Sequence, residues 1–252
     1  MERSSPDRSY FQNVRPEFTM HGGIVEGRLL PEYGAIFVAH GGAIPPPAVV
    51  FADESEVSRF QTLVGWQTEQ ICGFSISLQP PAMKALLAAI DAAAVYGMSI
   101  TPRGADSGRR RYDDTIALWA SRVEPALDYW TEAGRISREQ AESIRSFSPV
   151  DQAAAIFQLE EEGIFFAKDL SKSVIYSVAP PGTSQHLAML AFDAAEFDDL
   201  AVRDILASHG WFQTVTSDLP HFTYLGMTRS ELPGSGLKPV ISAGREFWLP
   251  DL

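Results

Sequence analysis

A single cysteine, Cys72, occurs in the 252 residues, so no internal disulfide can form and no Cys-x-x-Cys pair offers sulfur to a metal. Any metal site in this chain must therefore be built from histidines and carboxylates. Positive charge is scarce too: 20 Lys and Arg against 32 Asp and Glu leave a net charge of −12. That balance excludes nucleic acid and an anionic membrane surface as the main partner, because both demand clustered cations. No apolar run approaches the roughly 20 residues that span a bilayer, and the polar opening Met1 to Arg8 lacks the apolar centre of a signal peptide. A Gly-x-Ser-x-Gly elbow is also missing, so His21-Gly22-Gly23 and His40-Gly41-Gly42 read as turn glycines beside ordinary histidines, not as the oxyanion loop of a serine hydrolase. What is present is 45% hydrophobic and 21% charged, the composition of a globular chain with a packed core in one large domain or two small ones.

Periodicity and turn residues give the coarse organisation. Residues 1–33, with Pro6, Pro16, Gly22, Gly23 and Pro31, are expected as an irregular arm packed on the domain. Short strands are expected at 35–39, 48–52, 72–78, 98–101, 174–178, 211–216 and 222–225. The clearest helix opens at Pro80-Pro81, places Met83, Leu86, Leu87, Ile90 and Ala94 on one face and stops at Gly97. Residues 53–63 read as a short helix or a polar ramp, and further helices are expected over 113–133 with a kink near Pro125, 137–147 behind a Ser137/Gln140 capping box, 148–162, and 198–208 with Leu200, Ile205 and Leu206 inward. The helical stretch 112–163 reads as an inserted subdomain beside a cleft, with Trp119, Tyr129 and Trp130 as core side chains and Glu160 to Glu162 as a solvated helix end. His209, just before Gly210, either complements the dipole at a helix C-terminus or reaches the chemistry described next. The apolar tail 246–250 is expected to fold back on the domain.

Two segments carry chemistry. In Pro181-Gly182-Thr183-Ser184-Gln185-His186-Leu187-Ala188-Met189-Leu190-Ala191-Phe192-Asp193, an imidazole is followed seven residues later by a carboxylate, two ligand types that zinc accepts. On an unbroken strand His186 and Asp193 would face opposite ways about 23 Å apart. On a helix they would share a face two turns, about 10 Å, apart. Ligand atoms of one tetrahedral ion come within roughly 3.5 Å of each other, so the chain must bend between them, around Leu187 to Met189. The second segment, Asp218-Leu219-Pro220-His221-Phe222-Thr223-Tyr224-Leu225-Gly226, sets a carboxylate three residues before another histidine, so that one can hold metal while the other handles protons.

Ser184-x-His186-x6-Asp193, followed by an acid, two spacers and His221, resembles the D-alanyl-D-alanine carboxypeptidases and dipeptidases. These are zinc peptidases of peptidoglycan, with a metal-site architecture shared by lysostaphin-type endopeptidases and the hedgehog signalling domain. The matching stretch runs over about 174–226. The resemblance implies Zn²⁺ as cofactor, His186, Asp193 and His221 as its ligands, and Asp218 as the catalytic base. The chain departs from the family where Met189 replaces a glycine, Pro220 replaces a tryptophan, and Asp218 replaces a glutamate one methylene longer. Upstream, the loop Pro102 to Arg111 is the most basic spot in the chain. A guanidinium suits bidentate capture of a carboxylate, and the alternative is a solvated loop pairing with surface acids. By the resemblance, Arg103 is the clamp on the substrate's terminal carboxylate; Ser184, close to the ligand His186 in sequence, is expected to hydrogen-bond the substrate backbone.

The fold expected is α+β, a small antiparallel sheet carrying the zinc site with helices on one face and the helical insertion to the side. The activity implied is hydrolysis of a peptide bond in a peptidoglycan stem peptide or other D-Ala-D-Ala-terminated peptide. The alternatives are a peptidoglycan endopeptidase and a non-catalytic, zinc-stabilised cell-wall or protein-binding module. A cell-wall substrate points to a mature envelope or secreted form, whereas the missing signal peptide would keep a complete chain in the cytoplasm.

Overall fold

The computed structural model describes residues 10–252; the polar opening Met1 to Arg8 lies outside them. The architecture is α+β, with small antiparallel sheets and helices packed around a shared core. The first helix, α1 (Ile24–Tyr33), replaces the irregular arm expected there. Pro31 inside it removes a backbone bond at a cost of about 3 kcal/mol. Burial of Val25, Leu29, Leu30 and Tyr33, at roughly 1.5–3 kcal/mol for each large apolar side chain, outweighs that loss.

Residues 34–38 continue as a 3-10 helix where a strand was expected. The run 48–52 is likewise not a strand; it makes a single parallel bridge between Thr19 and Ala48. Its Phe51 N–H donates to the Gly182 carbonyl at 2.9 Å. A Cβ on Gly182 would stand 2.1 Å from the Phe51 carbonyl oxygen, and the φ of +78° is one that glycine alone adopts freely. The turn that delivers the histidine segment is therefore pinned against residue 51.

Helix α2 (Glu54–Val64) is capped by the Asp53 carboxylate on Glu56 N–H. The hairpin β1 (Gln67–Ile71) and β2 (Phe74–Leu78) follows, then α3 (Pro80–Val95), whose start at Pro80-Pro81 matches the sequence reading. Residues 98–101 form no strand; Pro102 bridges Ala194 instead. Helices α4 (Tyr112–Glu132), α5 (Arg138–Ser146) and α6 (Pro149–Glu161) fill the expected helical stretch, with the Ser137 hydroxyl accepting from Gln140 N–H. Trp119 is buried and donates to Gln152 Oε1 at 2.6 Å, but Tyr129 is half exposed and does not join the core. Residues 174–176 form a 3-10 turn, not a strand, because a short apolar run carries no periodicity that separates the two.

The functional sheet has the order β3 (Ala191–Asp193), β5 (His221–Tyr224), β4 (Trp211–Phe212), antiparallel throughout. Between β3 and β4 runs α7 (Leu200–Ser208), which buries Val202, Leu206 and Ala207. Leu200, expected inward, is 68% exposed because it stands next to the Asp199 cap in the first turn. The tail forms β7 (Arg245–Pro250), paired with β6 (Leu237–Ser242).

The bend between His186 and Asp193 is a 3-10 turn over Gln185–Ala188 closed by Met189 in the left-handed region, φ 56° and ψ 32°. Met189 thus does what a glycine would do, at a conformational cost of about 1–2 kcal/mol, and its buried side chain offsets the strain. Both Met189→Gly and Met189→Ala should destabilise the fold. Glycine is expected to be the milder change by about 1 kcal/mol, reversing the usual order, as urea denaturation would show.

Candidate metal centre

Register places Asp193 directly opposite His221 on neighbouring strands. Such cross-strand partners share a face with Cβ atoms about 4.5–5.5 Å apart. Phe192 and Phe222, paired one step along, turn to the other face and are buried. The 3-10 turn then folds His186 back over the same spot.

The three donor atoms lie within 4.8 Å of one another, in buried residues. His186 Nε2 and His221 Nδ1 each stand 3.3 Å from Asp193 Oδ1. Two atoms each about 2.0–2.1 Å from one tetrahedral ion would be separated by about this distance.

The surrounding hydrogen bonds fix which lone pairs point inward. His186 Nδ1 lies 2.7 Å from the Gly108 carbonyl. A carbonyl only accepts, so the proton is on Nδ1 and a neutral ring directs a bare Nε2 at Asp193. Gln185 Nε2 donates to the Tyr33 carbonyl at 2.9 Å, which leaves Gln185 Oε1 facing His221 Nε2, also at 2.9 Å. Oε1 therefore accepts from His221 Nε2–H and from the Thr223 hydroxyl, and His221 too directs a bare nitrogen, Nδ1, at Asp193. His186 Nε2 and Asp193 Oδ1 are buried without hydrogen-bond partners. Three lone pairs converging in a buried space repel one another, and a cation between them turns the repulsion into three bonds. The donor set fits zinc, with a hydrogen-bond acceptor behind each imidazole, the Gly108 carbonyl for His186 and Gln185 Oε1 for His221.

The protonation states agree with this. Burial pushes the His186 pKa below its ordinary value, with the Arg110 guanidinium adding to the effect, so the ring stays neutral and ready to ligate. The second oxygen of Asp193, Oδ2, accepts from Arg110 at 3.1 Å, leaving Oδ1 for the centre.

Arg110, Gln185 and the Gly108 carbonyl escaped the sequence reading. Gln185 sits inside the recognised motif and is the residue that orients His221. Gln185→Leu should weaken metal binding about 10–100-fold, the usual loss when a ligand's supporting partner is removed. Gln185→Glu, which retains the acceptor, should recover most of it, as chelator competition would show.

The basic loop proves to be a strap along β3. Arg103 N–H donates to the Asp193 carbonyl at 2.9 Å, and the Ser107 carbonyl accepts from Asp193 N–H at 3.1 Å. Arg109 donates to Gln61 and stacks on Trp66. A cavity of about 500 Å³ opens over the centre, and its lining includes Arg103, Ser184, Asp218 and all three donor residues. Asp218 is exposed on the turn before β5, where its carbonyl accepts from His221 N–H at 3.2 Å. His209 instead bonds the Ile205 carbonyl at 2.8 Å, at the end of α7.

No protein-family model and no curated protein matches this chain. Among solved structures, it is similar to a vancomycin resistance D,D-pentapeptidase VanY from a VanB-type cassette in complex with Zn(II). That match has 18% identity over 65% of this chain and 81% of the other, with a TM-score of 0.36. A second similar structure is VanYB in complex with D-alanine-D-alanine, at 17% identity, 68% and 84% coverage and a TM-score of 0.40.

Proposed function

We propose that the chain is a zinc peptidase that removes the last residue of a D-Ala-D-Ala-terminated peptide, in the manner of a D-alanyl-D-alanine carboxypeptidase acting on peptidoglycan stem peptides. The observation that carries this is the convergence of His186 Nε2, Asp193 Oδ1 and His221 Nδ1 beneath an open cavity. His186, Asp193 and His221 would hold the ion. Bound there, zinc supplies Lewis-acid polarisation and lowers the pKa of water towards 7.

The remaining roles fall to side chains that line the same cavity. The Asp218 carboxylate takes a proton from the attacking water and delivers it to the departing amine. Its exposed position at the cleft, with its backbone tied to the His221 N–H, suits a group that must reach solvent-derived water. Arg103 has no ion-pair or hydrogen-bond partner for its side chain among the described residues, and is free to grip a terminal carboxylate through two parallel bonds. Ser184, next but one to His186, presents its hydroxyl to the substrate backbone. Ser184→Ala should lower turnover and leave metal content unchanged.

The test is incubation of the zinc-loaded protein with acyl-peptides ending in D-Ala-D-Ala and with their amidated forms. Release of terminal D-Ala from the free acid alone is expected. Cleavage at an internal bond would make the protein an endopeptidase, and no cleavage at full zinc occupancy would make it a binding module.

A further inference from the structure

Three arginines line the cavity over the metal centre, Arg103, Arg110 and Arg122. In a chain of net charge −12, each cation facing a cleft needs an account. Arg110 has one, since Asp193 and Asp106 lie 3.1 and 3.6 Å from it. Arg103 is assigned above to the terminal carboxylate. Arg122 is left over. It projects from α4, on the wall that also carries Leu118 and the stretch 175–179, whereas Arg103 is anchored at β3 through its backbone bond to Asp193.

Arg122 forms no ion pair among the described residues. Its Nη1 donates to the Ser121 hydroxyl at 3.0 Å and to the Ser121 carbonyl at 3.4 Å, and its Nε is buried without any partner. Some guanidiniums elsewhere meet carboxylates, Arg145 three of them and Arg111, Arg229 and Arg245 at least one each, while others, such as Arg203, share the buried Nε without a partner; what sets Arg122 apart is that it faces the cleft over the metal centre. A half-buried guanidinium with a buried, unbonded N–H stays costly until an anion reaches it.

We infer that Arg122 forms a second anion-binding subsite in the cleft, so that the substrate is an acidic peptide bearing a carboxylate upstream of the scissile bond as well as at its terminus. This rests on the cleft being the peptide site proposed above. A cavity of about 500 Å³ has room for several residues of such a peptide. It also gives a reason for α4 to border the site: the helix supplies specificity while the sheet supplies chemistry.

The experiment measures binding separately from hydrolysis, so that failure of one reading is not mistaken for failure of the other. Calorimetry on the zinc-loaded protein would compare acetylated D-Ala-D-Ala peptides carrying Glu one or two residues upstream with the same peptides carrying Gln. The acidic member of one pair is expected to bind about tenfold more tightly. Arg122→Gln should erase that preference while leaving zinc content and affinity for the Gln peptide unchanged, and Arg122→Lys should retain part of it. Arg122→Glu should reverse it in favour of a Lys-bearing peptide. Where hydrolysis occurs, the effect should fall on KM and not on kcat. Equal binding of Glu and Gln peptides by the wild type, or an undiminished preference in Arg122→Gln, overturns the inference, whether or not any peptide is cleaved.

Discussion

Asp218→Ala should lower kcat by about 10²–10⁴-fold, the range typical for loss of a general base, while zinc remains stoichiometric. The separation follows from where the residue sits. Its carboxylate is not one of the three converging donors, and its links to the fold run through the backbone, N–H to Val215 and carbonyl to His221, both 3.2 Å. Truncating the side chain leaves those bonds in place. In its proposed role the group acts on a proton in flight and not on the bound peptide, so KM should move little. Asp218→Glu asks a further question. If the shorter acid is a compromise in reach, the longer one restores or raises turnover; if the turn before β5 has moved to suit aspartate, it lowers it. Zinc lost together with activity in Asp218→Ala would make the residue a ligand and not a base.

His186→Ala has the largest expected effect on the molecule as a whole. It deletes one of the three proposed ligands, so zinc binding should be lost and hydrolysis with it. Since an assembled site exists only in the folded chain, zinc affinity is also folding free energy. With free zinc at about a thousand times its dissociation constant, the gain is about 4 kcal/mol, which corresponds to a fall of about 10 °C in Tm when a chelator strips a domain of this size. The variant should melt at the same temperature with and without chelator. A wild-type Tm that ignores chelation while activity disappears would mean that zinc serves the reaction and contributes nothing to the fold.

Much of the metal centre was legible because its determinants are local. Ser184, His186 and Asp193 lie within ten residues, and the geometric need for a bend between ligands located the turn that Gln185–Ala188 and Met189 make. Proline pairs and caps likewise marked α3 and α5. What stayed hidden depends on distant contacts. The Gly108 carbonyl that sets the His186 tautomer is 78 residues away, and the Tyr33 carbonyl that orients Gln185 is 152 away. No spacing rule connects such pairs. Helix α1 was obscured by Pro31 and by Gly22-Gly23, breakers whose local cost is overridden by a buried face that only the assembled core provides. The runs at 35–39 and 174–178 were too short for periodicity to separate strand from 3-10 turn.

X-ray absorption at the zinc edge of the loaded protein measures the claim from which everything else proceeds. It should show two imidazole nitrogens at about 2.0–2.1 Å and oxygen at about 2.0–2.2 Å, with no sulfur. A sulfur shell near 2.3 Å, which only exposed Cys72 or a methionine could supply, or a spectrum of hydrated zinc unaltered by His221→Ala, would contradict it.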